Sequence, residues 1–330
     1  MSKVASNAES RIKAFDSVEI ERVELHDSLM KRRRDVNTEC SLLHQYKECE
    51  RTGRIDNFRI AAGLKEGEYC GRLASDSDVY KWIEAVAYTI ATDNVPDLKT
   101  LVDETIELIE QSQDEDGYLN TAFLGREEEK WTDPDHGHEL YCGGHLIQAA
   151  IAWKRATGAS RLLDTAIRWA DYICSRFGPD AKRGSAGHPE VEMALVELYR
   201  ETGSLRYLNT ATFFIEERGK GVLDGTAQIQ DHAPVRAQVT VEGHAVRQLY
   251  LASGITDIYA ETGEDDLMHT LKKQWHNFTS RKMAITGGAG ARHTTESFGL
   301  DYEIPNRTGY YETCASIASF MWNWRCITGF

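Results

Sequence analysis

The sequence predicts an all-α fold built from stacked helical hairpins, and three copies of one signal predict it. In each copy an apolar-periodic stretch stops at a glycine, a tight turn follows, and a second periodic stretch begins: Ala152–Gly158 then Ser160–Ala166, Val196–Gly203 then Leu205–Ala211, Asp257–Gly263 then Asp265–Leu271. A glycine just past the last helical turn takes the left-handed C′ conformation without a Cβ clash, so each glycine ends a helix rather than interrupting one. No strand pattern separates the copies, which leaves an open solenoid or a closed α/α-toroid. Trp322–Gly329 repeats the stop signal with only Phe330 after it, so the partner helix is missing. The sequence therefore reads as a fragment, its helical array incomplete at the C-terminal end.

Taken in order, the chain begins with an exception to this pattern. Val18, Ile20, Val23 and Leu25 alternate, imperfectly, with charged residues and read as one or two strands. The basic run Lys31–Arg34 reads as a solvated turn, and from Val36 onward the periodicity is helical. The expected organisation is a β segment and linker over residues 1–35 and an α-helical domain over 36–330. With 41% hydrophobic residues the chain has enough apolar side chain for a core, and its net charge of −14 argues against nucleic acid or an anionic membrane as partner. No apolar run approaches the roughly 18 residues of a membrane span, and the first residues lack the apolar core of a signal peptide, so a cytoplasmic location is expected. Seven cysteines, an odd number without a CxxC pair, read as reduced thiols.

The chemistry-bearing stretch is Ile285–Cys326. Three glycines within Ile285–Gly290, then Pro305 and Asn306, prevent a continuous helix and place Glu296 on a loop. From Cys314 the spacing of Ile317, Phe320, Met321 and Trp324 predicts a helix that buries this stripe, with Thr313 as its N-cap. Glu312 and Cys314 would point roughly 200° apart within a helix, but in an extended segment that ends at Thr313 both could reach one ion. The first turn of a helix also favours a thiolate at Cys314. Spacing alone fits equally a small buried cysteine beside a surface acid, because a metal site needs further ligands from elsewhere.

Six stretches together resemble the β-L-arabinofuranosidase family, glycoside hydrolase family 127. They are Asp76–Trp82, Asp116–Asn120, His138–His145, Gly187–Glu192 and Gly243–Arg247, and then the run from Thr286-Gly-Gly through Glu296–Gly299 and Asp301–Asn306 to Tyr311–Ala318. The resemblance selects the toroid, an (α/α)6 barrel with its site at one mouth. It implies a retaining, zinc-dependent glycosidase that releases β-L-arabinofuranose from a carbohydrate substrate. It implies Glu296 as general acid/base, Glu312 and Cys314 as ligands of Zn2+, and His138, His188, His244 and Glu312 around the sugar, with His145 an alternative to His138. The nucleophile it implies belongs to a Cys-Cys pair beyond Phe330, so the 330 residues alone are expected to be inactive. Asp76, Asp78 and Asp116 also match, but capping and turn roles account for them. Two other readings are a metal-free inverting toroid glycosidase that uses Glu296 with Glu312, and a non-catalytic helical repeat that binds carbohydrate.

Overall fold

The computed structural model describes Phe15, residues 17–26 and residues 28–329. These fall into two compact units, residues 17–133 with 141–175 and residues 134–140 with 176–329. No strand occurs among the described residues, only isolated bridge pairs. No described helix is long and apolar enough to cross a membrane.

The first unit holds α1 (Leu29–Val36), α2 (Leu42–Arg51), α3 (Arg54–Ala61), α4 (Asp76–Ile90), α5 (Pro96–Gln111), most of α6 (Glu139–Thr157) and α7 (Arg161–Arg176). α7 is amphipathic in the ordinary way and buries Leu162, Ala166, Trp169, Ala170 and Ile173 at three- and four-residue spacing. At Gly143 in α6 a Cβ would lie 1.9 Å from the Trp169 ring, so only glycine lets α7 approach. Asp116 accepts the Tyr118 N–H at 2.9 Å, the turn expected after α5. Asp76 is not a simple cap. Its buried carboxylate accepts the Thr121 N–H at 2.7 Å and the Thr121 hydroxyl, which ties α4 to a distant loop.

The second unit holds α8 (Val191–Thr202), α9 (Leu205–Glu217), α10 (Ala245–Thr262), α11 (Asp265–Asn277) and α12 (Thr313–Gly329). α10 packs against each of the other four, and every residue from Ala245 to Glu261 is buried. Its Asp257 accepts from Arg200 of α8 at 2.9 Å and Arg325 of α12 at 2.6 Å, while Trp322 Nε1 donates to Thr256 Oγ1 at 3.0 Å. With partners on both sides, the buried carboxylate fixes the rotation of α8 and α12 about α10. The expected stops are in place: Gly158, Gly203 and Gly263 have φ of +79°, +75° and +74°.

Two expectations fail. The β segment has no strand among its described residues: Ile20–Arg22 is a single 3-10 turn and the chain is helical from Leu29, not Val36. Val18 and Val23 are exposed, so the alternation serves no buried sheet face. Residues 1–14, 16 and 27 of that segment lie outside the described residues. On α12 the stripe Ile317, Phe320, Trp324 is exposed, Phe320 by 74%, and the buried face is Ala315, Ala318, Trp322 and Cys326. That face packs on α10, with Ala315 and Ala318 allowing approach and Trp322 anchored to Thr256.

Candidate active site

The site is assembled by backbone pairing at the start of α10. His244, extended and immediately before the helix, forms a bridge pair with Ser297: Ala245 N–H donates to Glu296 O and Phe298 N–H to Gly243 O, both at 2.9 Å. This lays Glu296 beside His244, and His244 Nε2 meets Glu296 Oε2 at 2.9 Å. A second pairing fixes the segment before α12, where Tyr310 N–H donates to Ala291 O at 3.0 Å and Tyr311 N–H to Gly290 O at 2.9 Å. Gly290 has φ +81°, and a Cβ there would press on the Ala245 methyl at 3.0 Å. The glycine-rich loop thus lets the two segments close on one another. Arg292 braces the same loop through a two-pronged bond to Glu303 at 2.7 and 2.6 Å.

Tyr310 Oη consequently donates to Glu296 Oε1 at 3.1 Å, so each Glu296 oxygen has a partner while the side chain stays 46% exposed. Glu296 itself sits at φ +51°, Tyr311 at +41° and His138 at +60°, left-handed backbone that these residue types adopt only when their surroundings impose it. α12 starts at Thr313, so Glu312 precedes it in non-helical chain as the sequence predicts. One oxygen of Glu312 reaches within 4.8 Å of ligand atoms of both His244 and Glu296. Burial and the Glu296 charge push its carboxyl up, and its buried Oε1 has no hydrogen-bond partner. Cys314 lies exposed in the first turn of α12 and is not a member of that cluster.

Three histidines follow one another across the site. The rings of His138 and His188 are 5.9 Å apart, and those of His188 and His244 5.6 Å. Burial pushes His188 well below the usual imidazole range and His244 down to about 4, with the Arg247 guanidinium adding to both. His145 belongs to α6 in the first unit, its ring edge-on to Tyr141 at 4.6 Å. Sequence reasoning missed Tyr310 and Arg247. Tyr310 had a signal: it stands two residues before Glu312 in an extended segment, on the same side of the chain. The Glu296–His244 bond had none, since 52 positions separate the pair.

On this helical scaffold a carboxylate is thus set between a histidine and a tyrosine. The family described as β-L-arabinofuranosidase, glycoside hydrolase family 127 catalytic domain, matches residues 22–328. The chain belongs to glycoside hydrolase family 127. It is 38% identical over 294 residues to a non-reducing end β-L-arabinofuranosidase of Bifidobacterium longum subsp. longum, covering 81% of this chain and 45% of that protein. A solved β-L-arabinofuranosidase of the family from Geobacillus stearothermophilus T6 superposes with a TM-score of 0.89 at 40% identity, over 93% of this chain and 53% of that one. A second β-arabinofuranosidase structure of the family gives 0.89 at 35% identity, over 96% and 51%. The all-α, α/α-toroid class read from the sequence is the class of this family. The chain spans about half the length of these relatives.

Proposed function

We propose that this chain carries the acid/base half of a retaining β-L-arabinofuranosidase, with Glu296 as the proton-transfer group. The observation that carries the reading is Glu296 itself, with one oxygen on His244, the other on Tyr310, and an open face beside the histidine row. A glycosidase acid must protonate the leaving oxygen and then, as a carboxylate, take a proton from water. Tyr310 suits that cycle, because its bond to Glu296 pushes the phenol up to about 12 and keeps it a donor at working pH. His244 stays neutral. With its proton on Nε2 it donates to Glu296 and leaves only a lone pair, not an N–H, on the buried Nδ1. Both donors therefore meet the negative charge that grows on Glu296 as its proton departs. His138 and His188 would bond furanose hydroxyls through neutral imidazoles.

Glu312 supports the reading that the site takes a cation such as Zn2+. Glu312 has a buried, unpartnered oxygen and a carboxyl pushed up by burial and a like charge, and a cation offsets both. It would be a ligand of a type zinc accepts, with His244 and Glu296 atoms within 4.8 Å of it; Cys314, which the family resemblance implies as a ligand, lies outside that cluster. When bound, the metal supplies positive charge and holds a coordinated thiolate deprotonated. Retention requires a nucleophile opposite Glu296, for which the family resemblance implies a cysteine. The inverting reading is disfavoured: Glu296 and Glu312 oxygens come within 4.8 Å, whereas an inverting pair keeps roughly 6.5–9.5 Å for a water. The test is hydrolysis of an aryl β-L-arabinofuranoside with NMR observation of the first-formed anomer and metal analysis of the protein. A product of inverted configuration would sink the retaining reading, and selective cleavage of a different furanoside would sink the substrate.

A further inference from the structure

Arg247 lies on α10 one turn beyond His244, on the same face of the helix, and is only 7% exposed. No carboxylate among the described residues is within ion-pair distance of it, and its Nε has no hydrogen-bond partner. A buried cation without an ion pair is a poor way to fill a core, since its desolvation is offset by little. What the guanidinium does hold is a single backbone carbonyl: Nη1 donates to Gly187 O at 3.3 Å, on the residue immediately before His188. The neighbouring carbonyl, Ala186 O, accepts from a second fully buried guanidinium, Arg218, which also bonds Ile229 O at 2.6 Å. On the other side Gly187 N–H donates to Pro134 O at 3.0 Å, and a Cβ at Gly187 would lie 2.4 Å from that oxygen. The segment that presents His188 is thus held carbonyl by carbonyl. Arg247 is the clamp that ties it to the helix start bearing His244.

We infer that Arg247 is a positioning residue for sugar binding, fixing His188 against His244 so that the two imidazoles meet the furanose in one geometry. This rests on the histidine row being the sugar pocket, and it extends that reading to a group that touches no reacting atom. The Arg218 clamp differs in that its cation has a carboxylate neighbour, Glu192, at 3.5 Å. Arg247 has no carboxylate within ion-pair distance among the described residues, Asp135, Asp224 and Glu296 acting on it only from further off, and the bond it does make is to the segment that presents His188.

The experiment uses Arg247→Met and Arg247→Lys in the full chain with two readouts. One needs no activity: the rate at which diethyl pyrocarbonate modifies His188 at neutral pH, followed by peptide mass spectrometry, with buried His145 of the other unit as internal control. Loss of the clamp is expected to speed modification of His188 by about tenfold while His145 stays protected, and Arg247→Lys, which keeps one donor, is expected to restore most of the protection. The second is kinetic: KM for an aryl β-L-arabinofuranoside rises about tenfold in Arg247→Met with kcat changed less than about threefold, the pattern of lost binding rather than lost chemistry. Unchanged His188 protection in Arg247→Met overturns the inference, as does a fall in kcat at constant KM. If Arg247→Met does not fold, Arg247→Gln carries the same two measurements. An inactive 330-residue parent is the result expected of this half and leaves the functional reading standing; His188 protection then decides the role of Arg247, and the kinetic arm is read in a C-terminally extended chain.

Discussion

His145 in α6 and His188 before α8 are both buried imidazoles, 4% and 9% exposed, and burial pushes both well below the ordinary histidine range. His145 sits within a helix and stacks edge-on against Tyr141 of its own turn. His188 lies on a clamped loop, and its ring faces His138, His244 and Tyr250, the last at 6.0 Å. A depressed pKa therefore marks burial in both places, while rings from distant positions surround His188. Convergence of side chains from distant positions distinguishes them, and the expected consequences of mutation differ accordingly.

The largest effect belongs to the residue on which the histidine row converges. Glu296→Gln is expected to lower kcat by about 10²–10⁴-fold, the range of a general acid/base, with little change in melting temperature because the side chain is half exposed. A drop below about tenfold would return Glu296 to a merely binding role. Next come the two histidines themselves. His145→Ala should destabilise the first unit by about 2–4 kcal/mol, as other large-to-small changes at buried sites do, and leave kcat/KM per folded molecule unchanged. His188→Ala should cost stability too, since His188 is buried, but unlike His145→Ala it should also raise KM about tenfold per folded molecule. Denaturant titration and steady-state kinetics on both variants give the contrast directly, and an equal change of KM in both would dissolve it.

How much of this was legible follows the same division. The helix stops at Gly158, Gly203 and Gly263 were readable because only glycine takes φ near +75° cheaply, a local rule. The start of α12 was readable for the same kind of reason. Which face of α12 is buried was not: Phe320 and Trp324 are apolar and aromatic, yet the face against α10 is the one with Ala315, Ala318 and Trp322. The N-terminal alternation misled because period two matters only where one face is covered. At the site, the family motifs pointed to Glu296, His188 and His244 singly, but the bonds between them depend on a backbone bridge between residues about 50 apart. No periodicity encodes such a bridge. Arg247 was quoted as the end of a motif without a role, since a buried unpaired cation is recognised only once burial is known.

Metal binding gives a third, smaller effect. Free Zn2+ at a hundredfold excess over its Kd should stabilise the folded chain by about 2.7 kcal/mol, reversed by chelator. Glu312→Gln should abolish the shift, and it should raise stability in metal-free buffer near neutrality, because a carboxyl whose folded pKa is raised loses stability as pH climbs through that value. A zinc shift that survives Glu312→Gln but disappears in Cys314→Ser would move the site off the carboxylate.

The finest expected difference is one that should not distinguish the two histidines at all. His145, His188 and His244 each titrate lower in the folded chain than the 6.5 of a free imidazole. The unfolded chain therefore takes up protons first as the pH falls. Their contribution to stability is complete above about 6.5 and is lost on acidification, through about 4 for His244 and further down for the other two. Glu312 works in the opposite direction, its folded carboxyl being raised, so it gains as the histidines lose. Denaturant midpoints measured from pH 7.5 to 4.5 should fall steadily, and His145→Phe and His188→Gln should each flatten the slope to a similar degree, because burial is the leading cause at both. Kinetics would still separate them, since only the His188 change alters KM. Unequal flattening, with His188 much the larger, would mean that the charged neighbours of the site outweigh burial there. The nearby groups that could do so are Arg247, His244 and His138.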